Sequence, residues 1–324
     1  MLDYSTNLCA ASGDGGSAPP WQGIPRMIPD NTSPKRCTID LLLDDVSMLI
    51  SPPEILIRLH QVMDSPLSST KALAIIVAQD PNLSARVLRI ANSSVYGLSQ
   101  RVDTVSRAIT VIGTRGLYHL SMAVTAAQSF SQISSSLVNI AVFWRHSVFS
   151  ALIARNLARR CRILHPERLF VAGLLHDIGS LLIYKHFAES LQDIVQDARG
   201  NERHLAEYER QHLGFDHAEV GAALLKRWGL PETLYTAVGS HHAYDHLAGQ
   251  TPMSLEAAIV HLADALSNRR MEGSFSEFGA YASHIDASAW QILGLDEGIV
   301  DELWAEVGRQ FIETLEAILP SAYV

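Results

Sequence analysis

The sequence predicts an all-α protein, a two-lobed helical bundle, on three observations. Apolar residues recur at helical spacing almost without pause from about residue 39 onward. No segment alternates apolar and polar residues between hairpin turns, as half-buried strands do. Capping residues stand where the periodic runs begin. With 324 residues, 48% of them hydrophobic, the chain is long enough to bury a large core.

The elements follow in order. Residues 1–38 are rich in Gly, Ser and Pro (ASGDGGSAPP, then PKR) and read as a disordered tail or linker. LSSTKALAIIVAQD offers Ser and Thr caps, with Leu73, Ile76 and Val77 on one face. In DPNLSARVLRIAN, Asp80 can cap, Pro81 takes the first helical position, and Leu83, Val87 and Ile90 follow at i, i+4 and i+7. Residues 104–112 and 117–130 read as two helices parted by GTRG, and FWRHSVFSALIARNLARR as another. Its apolar positions include Phe143, Val148, Leu152 and Leu157. The weak stretch QISSSLVNI divides an N-terminal lobe, about 39–135, from a His-rich lobe, about 136–270. Residues 271–324 read as a helical extension on the second lobe. EGSFSEFGA there is a loop, and a closing helix follows with Leu303, Val307, Phe311, Leu315 and Ile318 inward.

Composition narrows the function. No apolar run is long enough to span a bilayer, and the first basic residue is Arg26, so neither membrane insertion nor a signal peptide is expected. Cys9, Cys37 and Cys161 are widely spaced and form no CxxC, which suits a reducing cytoplasm and disfavours a disulfide framework or zinc–thiolate site. A net charge of −9 disfavours nucleic acid as a partner. A DNA-binding reading would rest only on short helix-turn-helix-like segments near residues 70–92, without a basic stripe. Arg155, Arg159, Arg160 and Arg162 end an expected helix, where cations complement the dipole.

Histidine is the informative residue: of 14, all but His60 and His119 lie beyond residue 140. Metal-ligand candidates arrive in order as His146, His176 and Asp177 in FVAGLLHDIGSLL, His217 in GFDHAEVG, His241 and His242 in GSHHAYDH, and Asp264 in VHLADALS. Adjacent helical residues point about 100° apart, so a His-Asp pair cannot readily chelate one ion symmetrically. It can flank two ions roughly 3.5–4 Å apart, the carboxylate offering one oxygen to each, in a centre suited to clamping phosphate. Imidazole with carboxylate suits iron, manganese, nickel, cobalt or zinc better than magnesium. Each residue also has a plainer role. His146 could be an interior hydrogen-bonding residue, His217 a helix cap, and His241 and His242 solvated at a helix end. Asp264 could accept from Arg269 or a backbone amide, and Asp177 alone could make a buried hydrogen bond. Their joint occurrence in one lobe favours the metal reading.

The order His146, His176–Asp177, Asp264 resembles the signature of the HD superfamily of metal-dependent phosphohydrolases. The chain is more specifically similar to the HDOD branch, the HD-related output domain of bacterial signalling proteins. AIIVAQDPNLSARVLRIANSSVYG with VSRAITVIGTRGL resembles that family's N-terminal lobe, and FVAGLLHDIGSLLI with HLGFDHAEVGAALLKRWGLPETL and the HH pair its second lobe. The resemblance covers roughly residues 40–270. It implies an all-α signal-transduction module with one or two divalent metal ions and, as partner, a signalling protein or a nucleotide second messenger. His217, His241 and His242 resemble the additional histidines of HD-GYP phosphodiesterases, which cleave cyclic di-GMP. Those enzymes typically follow the HD pair with Ile-Gly-Lys, where this chain has Ser180, which supplies no charge. Ala243 stands where they have glutamate, no Gly-Tyr-Pro motif follows, and Val142 occupies a position where some carry a glutamate ligand. The expectation is therefore a regulatory module that keeps a metal site. The alternative is a phosphohydrolase or phosphodiesterase acting on a (cyclic) nucleotide, with Asp177 the best catalytic candidate.

Overall fold

The computed structural model describes residues 38–47, 53–65, 69–131, 138–188, 191, 202–242, 254–274 and 285–319. The expected tail, except Thr38, lies outside the described residues, as do 132–137 of the lobe junction and 275–280 of the EGSFSEFGA loop. Among the described residues the regular structure is helical, with no strand. The helices run α1 (Ile39–Ser47), α2 (Glu54–Asp64), α3 (Thr70–Ala78), α4 (Pro81–Ala91), α5 (Val105–Phe130), α6 (Ile140–Arg160), α7 (Glu167–Leu175), α8 (Ile178–His186), α9 (Glu202–His212), α10 (His217–Arg227), α11 (Glu232–Gly239), α12 (Leu255–Asn268), α13 (Ala287–Leu293) and α14 (Val300–Ile318). No described helix is long and apolar enough to cross a membrane.

Local signals act as their chemistry dictates. Asp80 caps α4 by accepting from the Leu83 backbone N–H at 3.0 Å, with Pro81 at the first turn. Leu83, Val87 and Ile90 are fully buried. Gly113, at φ +79° and ψ 161°, breaks α5 within the GTRG stretch, and the helix resumes at the next residue. That conformation is open to glycine and almost closed to other residues. The break is thus one residue wide, not four.

Cys37–Val324 forms one compact unit. Within it, α2, α3 and α4 pack on the α5 region, while α6, α7 and α12 form the centre of the His-rich part, with α8, α10 and α11 beside it. The closing helix α14 packs against α6 and also against α4. Its inward residues Leu303, Val307, Phe311, Leu315 and Ile318 are buried. Asn156 Nδ2 on α6 donates to Gln310 Oε1 at 3.1 Å, and Arg86 and Arg89 on α4 donate to the carbonyls of Ile318 and Glu316 at 2.6 and 3.2 Å. These arginines satisfy carbonyls that a helix C-terminus leaves without intrahelical partners.

The basic cluster of α6 is occupied by acids. Arg159 and Arg160 meet Glu306 of α14 at 3.4 and 3.2 Å. Arg155 is buried, lies 3.6 Å from Glu167 and over the Tyr96 ring at 4.7 Å, and donates to the Val95 carbonyl. Partnership with acids, more than the helix dipole, accounts for these three cations.

Close helix approach depends on glycine at two places that matter to the site. A Cβ on Gly173 of α7 would meet the Ala151 Cα and Ser150 carbonyl of α6 at 2.9 Å each. A Cβ on Gly179 of α8 would lie 2.0 Å from the His217 carbonyl and 2.6 Å from the Gly221 nitrogen of α10. Backbone cannot yield as a flexible side chain can, so Gly179→Ala should destabilise the fold by about 3 kcal/mol or more. Gly113→Ala meets no atom within 4 Å and carries only the conformational penalty at φ +79°, about 2 kcal/mol. Denaturant unfolding of the two variants checks that order, and equal losses would refute the close-approach account.

Candidate metal centre

The helices deliver the seven candidate ligands into one buried cluster. His146 sits in the second turn of α6, flanked by the buried Phe143, Trp144, Ser147 and Ser150. His176 is the C-terminal cap of α7 and Asp177 the residue preceding α8, so the His-Asp pair occupies a helix–helix junction rather than a helix interior. His217 opens α10, His241 and His242 follow α11, and Asp264 lies on α12. All seven are at most 5% exposed. His217 does not cap its helix: Asp216 does, in a reciprocal capping box with Glu219. His241 and His242 are buried rather than solvated, and Asp264 Oδ1 accepts from Asn268 Nδ2 at 2.8 Å.

The ligand atoms fall into two groups. His146, His176 and Asp264 form one, and Asp177, His217, His241 and His242 the other, with atoms inside each within 4.8 Å of one another. Asp177 joins them with one oxygen apiece. Its Oδ2 lies 3.1 Å from His176 Nε2 and 3.6 Å from His146 Nε2, while its Oδ1 lies 3.5 Å from His217 Nε2 and 3.6 Å from His241 Nε2. Asp264 Oδ1 approaches His146 Nε2 to 3.5 Å and His176 Nε2 to 3.9 Å.

The outer nitrogens fix what the inner ones can do. Nδ1 of His146, His176 and His241 lies 2.7, 2.8 and 2.6 Å from the carbonyls of Gly273, Gly173 and Val238. A carbonyl only accepts, so each Nδ1 carries a proton and each Nε2 faces inward, where it can hold a second proton or a cation. His217 Nδ1 donates to Glu209 Oε2 at 2.7 Å with the same result. Facing nitrogens then stand 3.2 Å apart (His146 and His176) and 3.0 Å apart (His217 and His242). Both Asp177 oxygens and His241 Nε2 are buried without a well-formed hydrogen bond. Imidazole nitrogens crowded this closely around a buried carboxylate call for positive charge among them, as protons or as a metal ion. The residues therefore fit one or two divalent cations, with the outward hydrogen bonds orienting each imidazole.

The electrostatics of the cluster carry the same demand for positive charge. Burial, reinforced by neighbouring imidazoles, lowers His146 and takes His242 well below the usual range. Burial opposes protonation of His176 and His217 too, but Asp177 raises the first and Glu209 carries the second up to about 10. Burial alone would raise Asp177, yet the imidazoles of His176, His241 and His217 hold it well below the usual carboxylate range.

Two participants escape the sequence reading. Glu209 of α9 is 1% exposed and takes both the backbone N–H and the ring N–H of His217. Its only sequence signal is a charge four residues after Leu205, on the buried stripe of a polar helix. His261 is buried one turn before Asp264 on α12. Its Nδ1 lies 3.2 Å from the His241 carbonyl, and its Nε2 accepts from the Asp286 backbone N–H at 3.1 Å. Burial lowers it to about 4, keeping it a neutral strut behind the His241–His242 turn.

A cation bound only by the folded state raises stability by about 4 kcal/mol at a thousand times its dissociation constant. Chelator treatment should accordingly lower the thermal midpoint of the wild type and leave Asp177→Asn unmoved. Identical melting of the wild type with and without chelator would count against metal at this cluster.

The HDOD domain family model matches residues 49–244. An uncharacterized protein of Treponema pallidum is 27% identical over 230 residues, covering 69% of this chain and 43% of that protein. Ribonuclease Y of Thermotoga maritima is 30% identical over 125 residues, covering 39% of this chain and 18% of the enzyme. The chain thus spans less than half the length of these curated relatives. Among solved structures, an HDOD domain protein of unknown function from Geobacter sulfurreducens superposes with a TM-score of 0.67 at 22% identity, covering 87% of this chain and 98% of that one. A candidate phosphohydrolase from Shewanella amazonensis does so with a TM-score of 0.64 at 26% identity, covering 86% and 97%. On the family match and the shared all-α fold, the chain belongs to the HDOD domain family.

Proposed function

We propose that the chain is a regulatory output module of bacterial signal transduction that retains a two-ion metal centre, and that this centre braces the lobe which meets a signalling protein or a nucleotide second messenger. The observation that carries the reading is Asp177, whose two oxygens face two separate groups of imidazoles. His146, His176 and Asp264 would hold one ion and His217, His241 and His242 the other, with Asp177 shared. The mixed imidazole and carboxylate set favours iron, manganese, nickel, cobalt or zinc. Such ions supply Lewis acidity and lower the pKa of water. The protein's part is to orient four of the five imidazoles through their outer nitrogens, to exclude bulk water from seven nearly sealed side chains, and to cross-link three helices and two turns at one point.

A second reading, a metal-dependent phosphohydrolase or phosphodiesterase acting on a (cyclic) nucleotide, is favoured by charge. Asp177, Asp264 and Glu209 are three buried carboxylates, so two divalent ions leave one positive charge for an anionic ligand. The similarity to a candidate phosphohydrolase and to a segment of ribonuclease Y points the same way. Against it stands Ser180, 2% exposed, which brings no positive charge to a phosphate.

Metal content and turnover of an activated phosphodiester and of cyclic dinucleotides, measured on one preparation, separate the two. The expected outcome is about two ions per chain, with turnover no greater than that of Asp177→Ala. Turnover that needs the metal and falls at least a hundredfold in Asp177→Ala would replace the regulatory reading with the enzymatic one, and a metal-free, folded and inactive protein would remove both.

A further inference from the structure

The two halves of the cluster are not equivalent, and the difference lies behind the ligands. Three of the four tethered imidazoles donate their Nδ1 protons to neutral backbone carbonyls, those of Gly273, Gly173 and Val238. His217 alone among them donates to a carboxylate, Glu209 Oε2, at 2.7 Å. The same oxygen accepts the His217 backbone N–H at 2.9 Å, so Glu209 fixes both the ring and the start of α10. Glu209 Oε1 is buried without a hydrogen-bond partner, so the hydrogen bonds this carboxylate accepts from His217 both fall on Oε2. A carboxylate behind an imidazole raises its basicity and holds its orientation, strengthening the bond the other nitrogen makes to a cation.

From this asymmetry we infer that Glu209 is a positioning residue that makes the Asp177–His217–His241–His242 half the tight, first-filled cation site, leaving the His146–His176–Asp264 half the weaker, second-filled one. The ligand sets agree. The first half offers three imidazoles and one carboxylate oxygen, a nitrogen-rich set that favours the later first-row ions. The second offers only two imidazoles beside two carboxylate oxygens, the shared Asp177 Oδ2 and Asp264 Oδ1, and the latter already accepts from Asn268 at 2.8 Å. A module built this way would hold one ion constitutively and respond to the availability of the second. The inference rests on the two-ion reading above and names the order in which its halves fill.

Metal-stripped full-length protein titrated with cobalt(II), followed by visible absorption and calorimetry, tests it. The wild type should bind in two steps at least about tenfold apart. Glu209→Gln keeps the shape of the side chain and leaves the Arg210–Asp216 ion pair to hold α9 on α10. It should weaken the first step about 10–100-fold and leave the second in place. Asp264→Asn should do the reverse. Nitrogen-15 spectra of the zinc-loaded protein add a readout that a merely structural role would not move: the His217 Nδ1–H signal should shift in Glu209→Gln while those of His146 and His176 stay. Should Glu209→Gln fail to fold, Glu209→Asp carries the same test with the carboxylate drawn back by one methylene. Two steps that neither Glu209 variant alters, or a Glu209 variant that weakens only the second, would overturn the inference while the metal centre stands. A wild type that binds no cobalt would overturn both.

Discussion

A single carboxylate, Asp177, sets the terms for the rest of the His-rich lobe. It is 1% exposed, both its oxygens lack a well-formed hydrogen bond, and four imidazole nitrogens stand 3.1–3.6 Å away. A buried carboxylate of this kind is tolerable only among groups that bring positive charge. That requirement explains why so many polar side chains converge inside an otherwise apolar core, and why four of the imidazoles are tied outward to a carbonyl or an acid. The helices around Asp177 are arranged to meet its needs as much as to bury leucine and valine.

Meeting those needs calls for unusually close backbones. His146 on α6 and His176 at the end of α7 reach one another because Gly173 lets the two helices touch at Ala151 and Ser150. The α8–α10 crossing reaches the same point because Gly179 rests on the His217 carbonyl. The glycine two residues after Asp177 is thus a packing residue, and it seats the start of α8 directly on the backbone of α10.

Much of this was legible in the sequence, for reasons that differ by element. Caps such as Asp80 with Pro81, and the break at Gly113, are local, and local chemistry decided them. The seven candidate ligands could be picked out because histidine and aspartate are costly inside apolar helices and stand out there. Whether they hold metal is a question the fold sharpens, by sorting them into two groups around Asp177. What escaped had no side-chain signature or only a faint one. The carbonyls of Gly173, Val238 and Gly273 could be anyone's, and Glu209 reveals itself only as a charge on a buried stripe. The His176–Asp177 pair was expected on a helix and lies between two, because its apolar flanks read the same on either side of the junction.

The site also outruns the stretch by which the family is recognised. The HDOD match ends at residue 244, yet Asp264 and the Gly273 carbonyl that holds His146 lie beyond it. Past them, Asp286 steadies His261 behind the His241–His242 turn, and α14 ties α6 to α4. The part of the chain that looks like an appendage is therefore the second jaw of the clamp. A fragment trimmed to the recognisable domain would keep the HD pair and its surrounding imidazoles but lose Asp264 and the carbonyl that orients His146.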